Sequence, residues 1–170
     1  MFIAIKDTKV IAIHEVEWQC RMKAKGLSKP EYWTWLESVT TVTGTPPDER
    51  KTYDFSGEDY EIHEVDVDVS GFTKSGHIFS DLGGTHYHLS WDGSSVSADD
   101  DALATYQTAE KWKDIRSRRD ALLSDTDWIV TKAKETGTNI PTNWKTYRQA
   151  LRDVPDQTDP DNITWPTKPS

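Results

Sequence analysis

The hydrophobic residues of this chain change their period once, near residue 97, and that change limits what the chain can fold into. Before it, apolar and polar residues alternate in two stretches. Val65, Val67 and Val69 stand against Asp66 and Asp68, and Tyr87, Leu89 and Trp91 stand against His86, His88 and Ser90. A period of two sends successive side chains to opposite faces of a β-strand. After it, apolar residues recur every three or four positions. Trp112, Ile115 and Leu122 share a stripe with the stem of Arg119, and later Trp144, Tyr147, Leu151 and Val154 form another. That spacing is one face of an α-helix. The expected fold class is therefore α+β. A β-rich module over 1–97 precedes a helical region over 98–170, which forms an αα-hairpin followed by an extended tail rich in Pro and Trp.

Local signals fill in this frame. Phe2–Ile5 and Val10–Ile13 flank the polar turn Lys6–Lys9 and predict a β-hairpin. Pro30 followed by Glu31 favours a short helix over Lys29–Glu37, although the aromatics there suit a strand equally well. Gly44–Asp48 reads as a loop, Gly83-Gly84 as a break, and Ile62–Val69 as a strand. Asp92-Gly93 predicts a second hairpin returning at Val96. Asp99, Asp100 and Asp101 suit the start of a helix over Ala102–Leu123, because acids favour a helix N-terminus. Lys132–Thr138 is polar, contains Gly137 and reads as a loop. Pro141 opens a second helix, which Pro155 ends. The 8 Trp residues in a chain with only 35% hydrophobic residues predict Trp-centred clusters rather than one aliphatic core.

Charge and motifs exclude several functions. The formal net charge is -9, and the basic cluster Arg116, Arg118 and Arg119, flanked by Asp114 and Asp120, reads as a solvated helix face, so no nucleic-acid partner is expected. No apolar run approaches the roughly 18 residues of a membrane span, and the N-terminus lacks the regions of a signal peptide. No membrane partner is expected, and the cytoplasm is the expected compartment. Cys20 is alone, so it can form neither an internal disulfide nor a zinc site by itself. His86 and His88 are weak metal candidates, with His63 and His77 upstream and Asp81 or Asp92 as a third ligand. Ordinary strand histidines are the better account. The acids Glu61, Glu64, Asp66 and Asp68 fit a solvated strand face better than a glycosidase pair. Nucleophile-elbow, zincin and P-loop motifs are absent, so neither catalytic residues nor cofactors are assigned.

The C-terminal region carries a more specific pattern. Arg118-Arg119-Asp120-Ala121-Leu122-Leu123 precedes Thr126-Asp127-Trp128. Next comes Trp144-Lys145-Thr146-Tyr147-Arg148-Gln149-Ala150-Leu151-Arg152-Asp153-Val154-Pro155, and then Trp165-Pro166-Thr167-Lys168-Pro169. Over about residues 112–169 this ordered series resembles the tail assembly chaperones and tail-fibre assembly proteins of tailed phages. The resemblance implies a non-enzymatic protein that binds a phage tail or tail-fibre protein during assembly, in several copies where that partner is symmetric. It also leaves open a component retained in the virion, such as a fibre-tip or adaptor subunit. Trp128, Trp144, Tyr147, Arg148 and Trp165 are the candidate partner contacts, since Trp, Tyr and Arg dominate binding hot spots. The same aromatics also suit the core of a small domain. A third reading is a glycan-binding module in residues 1–97, with Trp33, Trp35 and Trp91 stacking on sugar.

Overall fold

The computed structural model describes residues 1–81 and 84–169. The chain divides into two compact units, Met1–Leu103 and Ala104–Ser170.

In the first unit, β1 (Phe2–Lys6) and β2 (Lys9–His14) form the expected hairpin. Its two turn residues, Asp7 and Thr8, have φ of 50° and 65°. That is the left-handed geometry that lets a two-residue turn follow the twist of the strands. The register shifts between Ala4 and Ile5, leaving Ile11 as the extra residue of β2. β5 (Glu61–Glu64), β8 (Leu89–Trp91) and β9 (Val96–Ala98) complete a five-stranded sheet in the order β5-β1-β2-β8-β9.

One face of this sheet carries Ile3, Ile5, Val10, Ile13 and Leu89. Against them pack Val65, Val69, Phe72, Ile78 and Tyr87, from α3 (Ser70–Lys74), its approach, and the hairpin of β6 (Ile78–Asp81) with β7 (Gly84–Tyr87). The other face carries Ala4 and Ala12, which meet Cys20 of α1 (Glu17–Ala24). Small side chains on the sheet allow the helix to approach closely. The Cys20 thiol is fully buried, 3.7 Å from the Ala12 carbonyl, and burial pushes its pKa up to about 11. A thiol held protonated in this way is a poor nucleophile.

α2 (Lys29–Ser38) is a helix because Ser28 and Glu31 form a reciprocal capping box. Its Tyr32, Trp33 and Trp35 join Trp18 of α1 and Phe55 in a chain of ring contacts 5.2–5.9 Å apart. Arg21 lies 3.8 Å from the Phe55 ring centroid and is paired with the buried Glu58 carboxylate. The ribbon of β3 (Thr40–Thr43) and β4 (Arg50–Tyr53) follows α2. The expected Trp-centred cluster is therefore present, but the core of the sheet itself is aliphatic.

Two expectations for this unit need correction. Val65–Val69 is not a strand. Phe2↔Glu64 ends the β1–β5 ladder, and only the mutual hydrogen bonds of Met1 and Val65, each 2.8 Å, extend it. Beyond them the valines still turn inward, while Asp68 accepts hydrogen bonds from Ser70 and leads into α3. The stretch 84–91 is two strands in two sheets, broken at His88. The His88 amide donates to the His77 carbonyl (2.7 Å), and its own carbonyl accepts from Asp99 (2.9 Å). Finally, α1 and α3 are helices that the sequence did not suggest, set within a region that is β-rich as expected. Of the expected break at Gly83-Gly84, Gly83 lies outside the described residues and Gly84 opens β7.

His88 is buried, and desolvation, helped by His86 and His77, holds its pKa below the ordinary 6.5 while Asp99 opposes the shift. A base with a depressed pKa binds its proton more readily in the unfolded chain. Its contribution is therefore complete above pH 6.5 and is lost as pH falls towards the folded value. Urea unfolding followed between pH 7.5 and 5.5 should show stability falling, and falling less steeply in His88→Gln. Equal slopes for the two proteins would remove His88 as the cause.

The second unit takes in most of α4 (Asp100–Ser124), then α5 (Asp127–Glu135), α6 (Thr142–Arg152), a 3-10 turn (Val154–Asp156) and an extended tail. Asp99 caps α4 by accepting from the Ala102 amide. The expected stripe Trp112, Ile115, Arg119 and Leu122 is half-buried along α4. The αα-hairpin gains a third helix, because Lys132–Glu135, read as loop, belongs to α5. Ile129 and Ala133, four residues apart, are its buried face. The helix stops at Gly137, whose φ of 65° suits glycine.

Candidate functional site

The residues of the C-terminal pattern meet around Arg148. Its position on α6 is fixed by the buried face of Tyr147, Leu151 and Val154. Arg148 is 8% exposed. Its Nη1 donates to the Leu123 carbonyl at 2.8 Å and to the Thr126 hydroxyl, and Nη2 pairs with Asp127 Oδ1 at 2.7 Å. Leu123 lies in the last turn of α4, where carbonyls lack the usual helix partner four residues on, and its carbonyl also accepts from the Thr126 amide and hydroxyl; Asp127 opens α5. One guanidinium thus closes the end of α4 and secures the start of α5. The Thr126-Asp127 pair and Arg148, about twenty residues apart, form one hydrogen-bonded unit. The sequence recorded their co-occurrence without saying why.

The tail is the second element of the site. Gln157 grips Thr164 through two hydrogen bonds of 3.1 and 2.9 Å, closing a loop around Asp159. Lys111 of α4 pairs with Asp161 at 2.6 Å. Arg118 lies over the Trp165 ring, 4.4 Å from its centroid, a cation–π contact. Arg118 itself stays exposed. Past Trp165, Pro166 and Pro169 line a groove with Thr146, Tyr147 and Ala150 of α6.

The five candidate contacts separate by burial. Tyr147 is 5% exposed, and Arg148 is nearly as buried, so both hold the unit together from inside. Trp144 and Trp165 are half-buried, Trp144 packing edge-on against Tyr147 at 6.0 Å. Trp128, next to the Asp127 that Arg148 holds, is 59% exposed. An indole this exposed stabilises its own unit little, yet its backbone is fixed by α5.

The histidines are placed differently from the weak metal reading. His86 Nε2 lies 3.0 Å from Asp81, and both His86 and His88 stack on Phe79. His63 bonds Glu61 and packs on Trp91. Among the described residues, no group of three His, Cys, Asp or Glu is gathered to hold a metal ion. Sequence reading missed one row: Ser75 Oγ, His77 and Asp100, joined at 2.6 and 2.9 Å. Ser75 Oγ also lies 3.1 Å from the Phe72 carbonyl at the end of α3, so the row acts as a staple from α3 to the first residue of α4.

Residues 112–170 match the family model described as phage tail assembly chaperone protein. No curated protein and no solved structure matches the chain. The matched segment contains Arg118, the Thr126-Asp127-Trp128 link, Arg148 and the Trp165 tail, so the hydrogen-bonded unit just described lies wholly within it. The match supports a role in phage tail assembly. Among the described residues, no helix is long and apolar enough to cross a membrane.

Proposed function

We propose that this protein is a tail or tail-fibre assembly factor of a tailed phage, acting in the host cytoplasm by binding a tail or fibre protein through its C-terminal unit. The observation that carries this reading is the family match over a helical unit whose most exposed large aromatic, Trp128, sits on its Arg148-fixed link. In this reading Trp128 is the anchor, and the half-buried Trp144 and Trp165 are further contacts. Tyr147 and Arg148 position the helices that present them. Aromatic anchors on a rigid scaffold lose little conformational freedom on binding. Covering an apolar surface of an unassembled fibre lowers its tendency to misassemble. Coexpression of the partner with Trp144→Ala, and separately with Trp165→Ala, should lower recovery of assembled partner. Normal recovery with both folded variants would remove the contact surface from these positions.

A second reading, a subunit retained in the virion, draws on the first unit. Its residues form a separate compact body outside the matched segment. Quantitative mass spectrometry of purified particles distinguishes the two. A fixed stoichiometry identifies a virion component, whereas absence from particles with abundance in the lysate identifies a transient assembly factor.

A further inference from the structure

A cleft of about 600 Å³ opens in the first unit between the β1–β2 turn, residues 58–61 and the β8–β9 turn. Its walls combine an aromatic surface with hydrogen-bonding groups of both signs. Trp91 supplies the surface. The indole packs on the sheet core, and the His63 ring supports it with centroids 5.1 Å apart. Its amide donates to the Thr8 carbonyl at 2.8 Å, tying the β1–β2 turn to β8. The rim carries Lys6 paired with Asp59, Asp7 in the left-handed turn, Glu61 beside His63, and Asp92. Asp92 is committed to its own turn, accepting from Ser94 and Ser95, which holds its carboxyl well below the usual carboxylate range. Asp7 and Glu61 are exposed.

We propose that this cleft is a saccharide-binding site, which takes a neutral or amino-bearing pyranose ring flat against Trp91 with Asp7 and Glu61 accepting from its hydroxyl or ammonium groups. The electron-rich face of an indole attracts the polarised C–H groups of a pyranose, and attracts a cation more strongly. Carboxylates offer only acceptors, and each can take two hydrogen bonds from neighbouring hydroxyls. Lys6 supplies a donor on the same rim. Carboxylates outnumber the single ammonium around the cleft, so an anionic sugar is repelled. A Trp fixed by core, histidine and backbone needs no rearrangement to bind, which suits a shallow site. This inference is independent of the tail-assembly reading, since it concerns residues outside the matched segment.

The test is a titration of the full-length, nitrogen-15-labelled protein with four tetrasaccharides: N-acetylglucosamine, its de-N-acetylated form, glucose, and sulfated heparin. The readout is the indole N–H peak of Trp91, assigned with Trp91→Phe. A saturable shift of that peak with at least one of the first three, and none with heparin, is the expected result. Trp91→Ala should weaken that binding at least tenfold. Because this variant removes core packing, the exposed pair Asp7→Asn with Glu61→Gln serves as the second test and should weaken it at least fivefold. The proposal is overturned if no sugar shifts the Trp91 peak saturably, if heparin alone does, or if the double variant binds as the wild type does.

Discussion

Arg148→Ala is expected to destabilise the C-terminal unit by about 2 kcal/mol, the scale of losing hydrogen bonds from a charged donor. The fully buried Thr126 hydroxyl loses its donor, while the Leu123 carbonyl loses the guanidinium but still accepts from the Thr126 amide at 3.1 Å and the Thr126 hydroxyl at 2.8 Å. The ion pair with Asp127 adds less, because that carboxylate is mostly exposed and water screens it. Arg148→Lys should recover only part of the loss, since one ammonium cannot follow the fork that reaches Leu123, Thr126 and Asp127 together. Hydrogen exchange of the full chain gives the readout. Amides of α5 and α6 should lose protection in Arg148→Ala, while those of β1 and β2 keep theirs. Unchanged protection of α5 would show that the helices hold without the guanidinium.

Arg148 also shows how far the sequence could be read. The three-four spacing of Trp144, Tyr147, Leu151 and Val154 was enough to place α6 and its buried face. The order of the motifs was enough to suggest the family. Neither could say that Arg148 spends its charge inside the unit, because periodicity reports which face a residue occupies and not which carbonyl its guanidinium reaches. The misread segments have similar causes. Lys132–Glu135 looked like a loop because polar residues outnumber apolar ones, yet Ile129 and Ala133 alone suffice for the buried face of α5. Val65–Val69 alternates perfectly and its valines do turn inward. A strand also needs a neighbour's backbone, and the β1 ladder ends at Phe2↔Glu64. His88 lies in the polar half of an alternating pattern but is buried, because its peptide group is shared between His77 and Asp99. In the first unit the hairpin turns were readable from local chemistry. The cleft beside Trp91 was not, since it depends on bringing residues near 7, 60 and 92 together.

Trp128→Ala should lower recovery of the bound tail or fibre protein by about thirtyfold, the scale of a 2 kcal/mol hot spot. Its effect on stability should stay within about 0.5 kcal/mol, as for other exposed substitutions. The pairing of these two effects is what gives the experiment force. An aromatic in the core would cost stability first and partner recovery only as a consequence. Trp128 has 59% of its surface exposed, while its helix is set by Ile129 and Ala133 on one side and by the Arg148–Asp127 link at its start. Arg148→Ala should therefore also lower recovery, but together with exchange protection, whereas Trp128→Ala should lower recovery alone. A partner recovered at wild-type levels with Trp128→Ala would move the contact away from α5. The remaining candidates within the unit would then be the groove along α6, lined by Thr146, Tyr147 and Ala150, and the tail that runs beside it.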